Sequence, residues 1–331
     1  MKKTVLLKFE ADEKFIAYAE ELFIAGGMSA VRGDPLIRTE ARLAEEAEGC
    51  CAVVAGSETW SESVFARLKP ALRLVVRCGT GYDAIDIAGA SKHGIAVANT
   101  PGLNAVSVAE TALGFILSLQ RNIKRYDAEV RKGGWRPIPA NELMGKTVGL
   151  VGFGAISRSL ARLLGGLGVK ILAYDVVRDD IAAEELGVGF AELDDLIKAS
   201  DVISLHVPLN DRTRHLIDKK AIEKMKQTAI IINTSRGAVI NEADLAAALK
   251  SGRIAGAALD VFETEPVSMD NPLLEFGNVL LSPHSASATE ETMLRMLRSC
   301  AGKVGRFLDG GEIENIVNPE YTHGIQATNA I

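Results

Sequence analysis

Arg236, Glu265 and His284 are the residues of this chain best suited to acid–base chemistry on a small acid, and each follows a short apolar run. Arg236 lies in Thr234-Ser235-Arg236-Gly237, after the run Ala229–Asn233. Glu265 lies in Val261-Phe262-Glu263-Thr264-Glu265-Pro266, after Gly256–Asp260, and His284 in Ser282-Pro283-His284-Ser285-Ala286, after Val279–Leu281. An arginine offers a planar, permanently charged fork for a carboxylate and the carbonyl or hydroxyl oxygen beside it. A histidine exchanges a proton near neutral pH, as forming or consuming an alkoxide requires. A carboxylate next to that imidazole favours its charged form and holds its tautomer. If the three runs are neighbouring strands, the three side chains can converge on one cleft. Residue type alone leaves rivals. Glu263 competes with Glu265, and four histidines compete with His284. His93 reads as a solvated turn residue, His215 sits in a polar segment and His323 in the tail. His206, which ends the run Val202–His206, is the serious competitor, and it could instead line the adenine side of a cofactor cleft.

A second constellation supplies a redox partner. The run Thr147–Val151 ends in Gly152-Phe153-Gly154, an amphipathic stretch follows, and a further run to Tyr174 ends in Asp175. That is the order a dinucleotide site requires. The first glycine permits a tight strand-to-helix turn and the second lets backbone approach a pyrophosphate, whose oxygens the helix N-terminus can bind. Asp175 can accept from ribose hydroxyls. It is followed by Val176-Val177, with the first base only at Arg178, so NAD(H) is expected over NADP(H). Ser157 stands where a third glycine is usual and is small enough for close helix–strand packing. With a nicotinamide bound, the Arg–Glu–His set amounts to hydride transfer to or from C2 of a 2-hydroxy acid.

Positioning these groups is the task of alternating strands and helices. The predicted strands are Thr4–Lys8, Ala52–Ala55, Leu74–Arg77, Ala96–Ala98, Thr147–Val151, Lys170–Tyr174, Val202–His206, Ala229–Asn233, Gly256–Asp260 and Val279–Leu281. Ten strands suit two parallel sheets better than one, which makes the chain an α/β protein with two doubly wound domains. A boundary is signalled at Asn99-Thr100-Pro101-Gly102, before one long helix predicted from Asn104 to Lys132. Ser107-Val108-Ala109-Glu110 has capping-box spacing near its start, and Gly133-Gly134 ends it. A second helix, near Thr289 to Leu308, returns the chain to the first domain.

Composition narrows the function classes. The chain has 331 residues, 47% of them apolar, with 10 Pro and 31 Gly. No apolar run reaches the roughly 18 residues that span a bilayer, and the basic start is soon broken by Lys8, Glu10 and Asp12, so neither a membrane anchor nor a secretory leader is expected. A net charge of −6 without basic runs argues against nucleic acid as a partner. Cys50, Cys51, Cys78 and Cys300 show no metal spacing and read as reduced thiols in a cytoplasmic protein, with no metal expected.

The motifs resemble those of the D-isomer-specific 2-hydroxyacid dehydrogenases. The matching blocks are Gly79-Thr80-Gly81-Tyr82-Asp83-Ala84-Ile85-Asp86, Asn99-Thr100-Pro101-Gly102, Ser107-Val108-Ala109-Glu110, Gly152-Phe153-Gly154-Ala155-Ile156, His206-Val207-Pro208-Leu209, Asn233 to Gly237, Ala258 to Pro266 and Ser282-Pro283-His284. The resemblance implies Arg236, Glu265 and His284 as the catalytic set, choosing His284 over His206. It implies NAD contacts from Gly152, Gly154, Ala155, Ile156, Asp175, His206, Val207, Pro208, Thr234, Asp260, Ser285 and Ala286. Of these, Asp260 falls where the family meets the nicotinamide carboxamide. A carboxylate grip is implied in the loop Arg77-Cys78-Gly79-Thr80, through backbone N–H groups. It also implies a Rossmann cofactor domain (104–288) inserted into a flavodoxin-like substrate domain (1–103 and 289–331). The family further implies a homodimer, or a tetramer of such dimers, built on the long helix and the arm around Trp135. Glu265 in place of Gln disfavours formate, and Thr80 in place of Lys disfavours phosphite. The loop Ala55-Gly56-Ser57-Glu58-Thr59 carries an acid and no base, which lowers D-3-phosphoglycerate as the substrate. An NADH-sensing interaction protein, similar to the C-terminal-binding-protein corepressors, is the alternative from another class; the short extension after Asn318 speaks against it.

Overall fold

The computed structural model describes residues 3–37 and 39–321. The chain divides into two compact units, one made of the residues up to Asn104 with those from Thr289 on, the other of Ala105–Ala288. The first unit begins β1 (Thr4–Lys8), α1 (Glu13–Ala25), β2 (Ser29–Arg32), α2 (Glu40–Glu46), β3 (Ala52–Ala55), α3 (Glu62–Leu68), β4 (Leu74–Arg77), α4 (Ile87–Lys92) and β5 (Ala96–Ala98). The second runs α5 (Ala105–Gln120), α6 (Ile123–Arg131), β6 (Thr147–Val151), α7 (Ala155–Leu164), β7 (Lys170–Tyr174), α8 (Asp180–Glu185), β8 (Val188–Phe190), α9 (Leu193–Ala199) and β9 (Val202–Leu205). It continues with α10 (Lys219–Lys224), β10 (Ile230–Asn233), α11 (Glu242–Ser251), β11 (Gly256–Leu259) and β12 (Val279–Leu281), after which α12 (Glu290–Leu308) belongs to the first unit again.

Each unit holds one parallel sheet. The first has order β2-β1-β3-β4-β5, the flavodoxin-like arrangement. The second has order β12-β11-β10-β9-β6-β7-β8, the Rossmann order with one strand added beyond β11. The central strands are short runs rich in Val, Ile, Leu and Ala because both faces of a parallel sheet are covered. In the first unit, Val5, Leu7, Val54 and Val76 pack with α1 and with Met296, Leu297 and Val304 of α12. The opposite face, with Leu6, Val53 and Val75, packs on α2 and α3 around Trp60. In the second unit, Ala109, Ala112 and Ile116 of α5 and Leu160 and Leu164 of α7 cover one face, while α9, α10 and α11 cover the other.

Several expectations need correction. The predicted long helix is two helices. Asn122 adopts a left-handed conformation (φ 54°, ψ 33°) that ends α5 and starts α6, a geometry Asn tolerates because its short amide bonds locally. Ser107 is not a capping residue; it is the third residue of α5 and is buried. Strands β2 and β8 were not expected. Three strands are one residue shorter than read, since His206, Ala229 and Asp260 fall outside them. Lys8 does not break the first run. It closes β1 fully buried, with Nζ 2.5 Å from Glu46 Oε2 and a bond to the carbonyl of Asp34. His93 is not solvated; its side chain is 11% exposed and packs toward Glu62. His323 lies outside the described residues.

Candidate active site

Strands β10, β11 and β12 are consecutive neighbours, so their carboxyl ends deliver the segments bearing Arg236, Glu265 and His284 side by side. Within this unit the three come together. His284 Nδ1 lies 2.7 Å from Glu265 Oε2, and Glu265 Oε1 accepts the Phe262 N–H at 3.0 Å. Burial alone would raise the Glu265 carboxyl. The hydrogen bond to His284, the Phe262 N–H and the Arg236 charge outweigh it and hold the group below its ordinary range. The imidazole is 50% exposed and the carboxylate 36%, so the pair is open to a ligand.

The loop carrying His284 is built for that placement. His284 has φ 52°, a left-handed conformation that costs a non-glycine residue about 1–2 kcal/mol. Asp260 holds it there. Its carbonyl accepts the His284 N–H at 2.7 Å, and its buried carboxylate accepts the N–H of Ser285 (2.8 Å) and Ala286 (2.9 Å) and the hydroxyl of Ser282. Asp260 is expected at the nicotinamide carboxamide; its bonds also shape residues 282–286, a role its position in sequence does not reveal.

Arg236 is registered to Glu265 by a close backbone approach. A Cβ on Gly237 would meet the carbonyl carbon of Phe262 at 1.8 Å, so only glycine allows the two segments to touch. Arg236 Nη1 donates to its neighbour Ser235 O at 2.7 Å, and Asn233 Nδ2 donates to Arg236 O at 2.9 Å. Sequence reasoning missed a second brace on this loop. Glu263 Oε1 accepts the Glu242 N–H at 2.9 Å, Glu242 Oε1 accepts the Glu263 N–H, and His215 Nε2 lies 3.1 Å from Glu263 Oε1. Glu263, the rival acid, and His215, one of the rival histidines, thus lie against each other.

His206 sits at the end of β9, with Nε2 2.8 Å from Ser204 Oγ and no partner for Nδ1. Burial lowers its pKa to about 4, so it is neutral at working pH.

The glycine loop follows β6. Gly152 has φ 94°, and a Cβ there would meet His206 O at 2.7 Å. Ser157 is fully buried and donates to Gly152 O at 2.5 Å, tying the helix to the turn. Asp175 accepts from Phe153 N at 2.6 Å and Val177 N at 3.0 Å. A dinucleotide fits the residues present. The space over Gly154 is open, and a cleft of about 630 Å³ lies along Phe153, Gly154, Asp175 and Val177. The N-terminus of α7 begins at Ala155 and Ile156 with no side-chain cap, and Thr234 Oγ1 and His206 Nδ1 are buried polar atoms without a protein partner. Val207 and Pro208 continue from His206 at the carboxyl end of β9.

Arg77, Cys78, Gly79 and Thr80 belong to the other unit, at the carboxyl end of β4. The Cys78 amide is donated to Ala55 O and that of Gly79 to Thr100 Oγ1, both at 2.9 Å. Nearby, Glu58 is buried and accepts from Gly56 N (3.0 Å) and Trp60 Nε1 (2.9 Å), and burial raises its pKa.

Sheet order and glycine loop define a dinucleotide-binding protein. Residues 113–286 match the family model "D-isomer specific 2-hydroxyacid dehydrogenase, NAD binding domain". Glyoxylate reductase of Korarchaeum cryptofilum is 40% identical over 284 residues, 84% of this chain and 86% of that protein. Hydroxypyruvate reductase of Thermotoga maritima is 42% identical over 229 residues, 68% and 74% of the two chains. The apo-structure of D-lactate dehydrogenase from Escherichia coli has a TM-score of 0.84 at 29% identity, covering 95% of this chain and 99% of that one. The chain belongs to the D-isomer specific 2-hydroxyacid dehydrogenases. It is an NAD-dependent oxidoreductase acting on the CH–OH group of 2-hydroxy acids.

Proposed function

We propose that this chain interconverts a small, unphosphorylated 2-oxo acid, of the glyoxylate or hydroxypyruvate class, and its D-2-hydroxy acid, with His284 as acid/base. The observation that carries the reading is the 2.7 Å His284–Glu265 pair. Glu265 accepts the Nδ1–H hydrogen bond and holds that tautomer, so Nε2 is the atom that gives a proton to the C2 oxygen in reduction and removes it in oxidation. The Arg236 fork binds the carboxylate and the C2 oxygen, aligning C2 for transfer. Bound NAD(H) supplies or accepts the hydride. Neutral, half-buried His206 suits the cofactor wall and not this proton transfer.

The first unit is assigned to the substrate carboxylate. With the Cys78 and Gly79 amides bonded internally, the amides of Thr80 and Gly81 are the ones left for it in that loop. The relatives' names include glyoxylate reductase and hydroxypyruvate reductase alongside D-3-phosphoglycerate dehydrogenase. Inward-turned Glu58 and ion-paired Lys8 offer a phosphate nothing at the carboxyl end of this sheet, which weighs against phosphoglycerate. No described helix is long and apolar enough to cross a membrane. The free thiols at Cys50, Cys51, Cys78 and Cys300 suit the cytoplasm. The exposed apolar residues Val106, Ile123, Val130 and Trp135 suit a face shared between two copies. A panel of glyoxylate, hydroxypyruvate, pyruvate and phosphohydroxypyruvate, assayed by loss of NADH absorbance, tests the reading. Turnover led by the small acids supports it; preference for phosphohydroxypyruvate overturns it.

A further inference from the structure

The cleft beside Asp175 is lined by Arg158 and Arg178, two cations of the kind a 2′-phosphate binds, yet both are engaged elsewhere. Arg158 Nε donates to Phe153 O at 3.0 Å, and its Nη1 lies 2.8 Å from Asp179 Oδ2. Arg178 Nη2 donates to Glu192 Oε1 at 3.1 Å. Each guanidinium also lies over a ring, Arg158 at 5.2 Å from the centroid of Phe153 and Arg178 at 5.4 Å from that of Phe190. Those two rings meet edge to face, with centroids 5.4 Å apart. The result is an aromatic pair flanked by a cation at each end, with each cation paired to its own acid.

We propose that Asp179 and Glu192 are specificity-determining residues that hold this chain to NAD(H) by sequestering Arg158 and Arg178 from a 2′-phosphate. Asp175 suits a ribose with free hydroxyls, since a carboxylate accepts from them and repels a phosphate. Repulsion by one residue is only half of the discrimination. An adjacent arginine is the usual way to accommodate the 2′-phosphate, and here two arginines line the same cleft as Asp175. Three carboxylates (Asp175, Asp179 and Asp180) and two guanidiniums line the cleft, so its charge balance is negative before any ligand enters. The ion pairs are part-exposed, with side-chain exposures between 36% and 75%. Such pairs are individually weak. Releasing one arginine should therefore change selectivity several-fold and leave the fold intact.

The chemistry of Asp179 allows a clean test. Its Oδ1 caps α8 by accepting the Ala182 N–H at 3.1 Å, while Oδ2 serves Arg158. Asp179→Asn keeps a capping oxygen and removes the charge that holds the arginine. Glu192→Gln does the same for Arg178; Glu192 precedes α9 at its N-cap position, but its side chain makes no capping bond. Binding to the purified chain is measured by calorimetry with two probes, adenosine 2′,5′-bisphosphate and 5′-AMP, alongside kcat/KM with NADPH and NADH. Each variant should gain about three- to tenfold in affinity for the bisphosphate relative to AMP, the scale of one unit charge acting over a few ångströms in water. The double variant should gain more. Asp180→Asn removes a cleft carboxylate that pairs with neither arginine, and should gain less than Asp179→Asn. An unchanged bisphosphate-to-AMP ratio in both single variants overturns the proposal. So does an equal gain in Asp180→Asn, which would reduce the effect to net charge.

Discussion

Glu242 and Glu263 each accept the backbone N–H of the other, so the start of α11 and the loop carrying Glu265 are buttoned together at two points. Asn271 Nδ2 adds a bond to Glu242 Oε2 at 2.8 Å. Glu263→Ala should lower Tm by about 2–4 °C, the scale of about 1 kcal/mol in a domain of this size. It should lower kcat while leaving KM for NADH unchanged. Glu263→Gln keeps the accepting oxygen and should stay near the parent on both measures. A kcat loss in the Gln variant as large as in the Ala variant would show that charge, not bracing, is the contribution.

His284→Gln should reduce kcat by about 10²–10⁴-fold with NADH affinity largely intact. Glu265→Gln should act more gently and move the activity profile to lower pH, because an amide does not stabilise imidazolium. Fluorescence titration of NADH with pH-resolved steady-state kinetics checks both. A nearly active His284→Gln beside a dead His206→Gln would transfer the role to His206.

Arg236→Lys keeps the charge and loses the fork. Both KM for the 2-oxo acid and kcat should worsen, with kcat/KM down at least about tenfold. Near-parental kcat/KM on the best substrate would make Arg236 a purely structural residue.

Acid should expose the burial of His206. Its folded pKa, about 4, lies below the unfolded value of 6.5, so below pH 6.5 the unfolded chain binds a proton that the folded chain refuses. The stability this group contributes is complete above pH 6.5 and declines as pH falls toward 4. Glu265, also depressed, adds a smaller loss below its ordinary value of 4.5. Tm measured from pH 7.5 to 4.5 should fall, and His206→Gln should flatten that slope. Parallel slopes in parent and variant would contradict the assignment.

The two-fold assembly proposed for the α5–α6 face makes a direct demand on mass. Light scattering behind a sizing column at low micromolar protein should give at least twice the 35.3 kDa of one chain. Trp135, 88% exposed, should be protected from solvent quenchers in the assembled species. A mass near 35.3 kDa would exclude the assembly.

What the sequence disclosed divides along a physical line. Interior strands such as Thr147–Val151, Lys170–Tyr174 and Leu74–Arg77 were readable to the residue, because burial on both faces demands an unbroken apolar run. The missed strands β2 and β8 each lie at one end of their sheet, and unlike the outer strands β5 and β12 they carry a polar or glycine residue among few apolar ones. Ser-Ala-Val-Arg and Val-Gly-Phe pair on one side only and carry no such run. The break at Asn122 was invisible because a left-handed residue is a conformational choice among several open to Asn. At the site, the strand-end order of Arg236, Glu265 and His284 was readable from spacing. The burial of His206, the inward turn of Glu58 and the Glu242–Glu263 exchange depend on partners distant in sequence.

Because α12 completes the first sheet's covering from the far side of a long insertion, the chain meets a timing problem while it is being made. Val5, Leu7, Val54 and Val76 wait for Met296, Leu297 and Val304. Meanwhile the second unit, contiguous from Ala105 to Ala288, has its whole core in hand as soon as it leaves the ribosome. At about 5–20 residues per second, that wait is on the order of ten to forty seconds. For that interval an apolar sheet face is open to chaperones and to neighbouring nascent chains, and the inserted unit is the part able to close first.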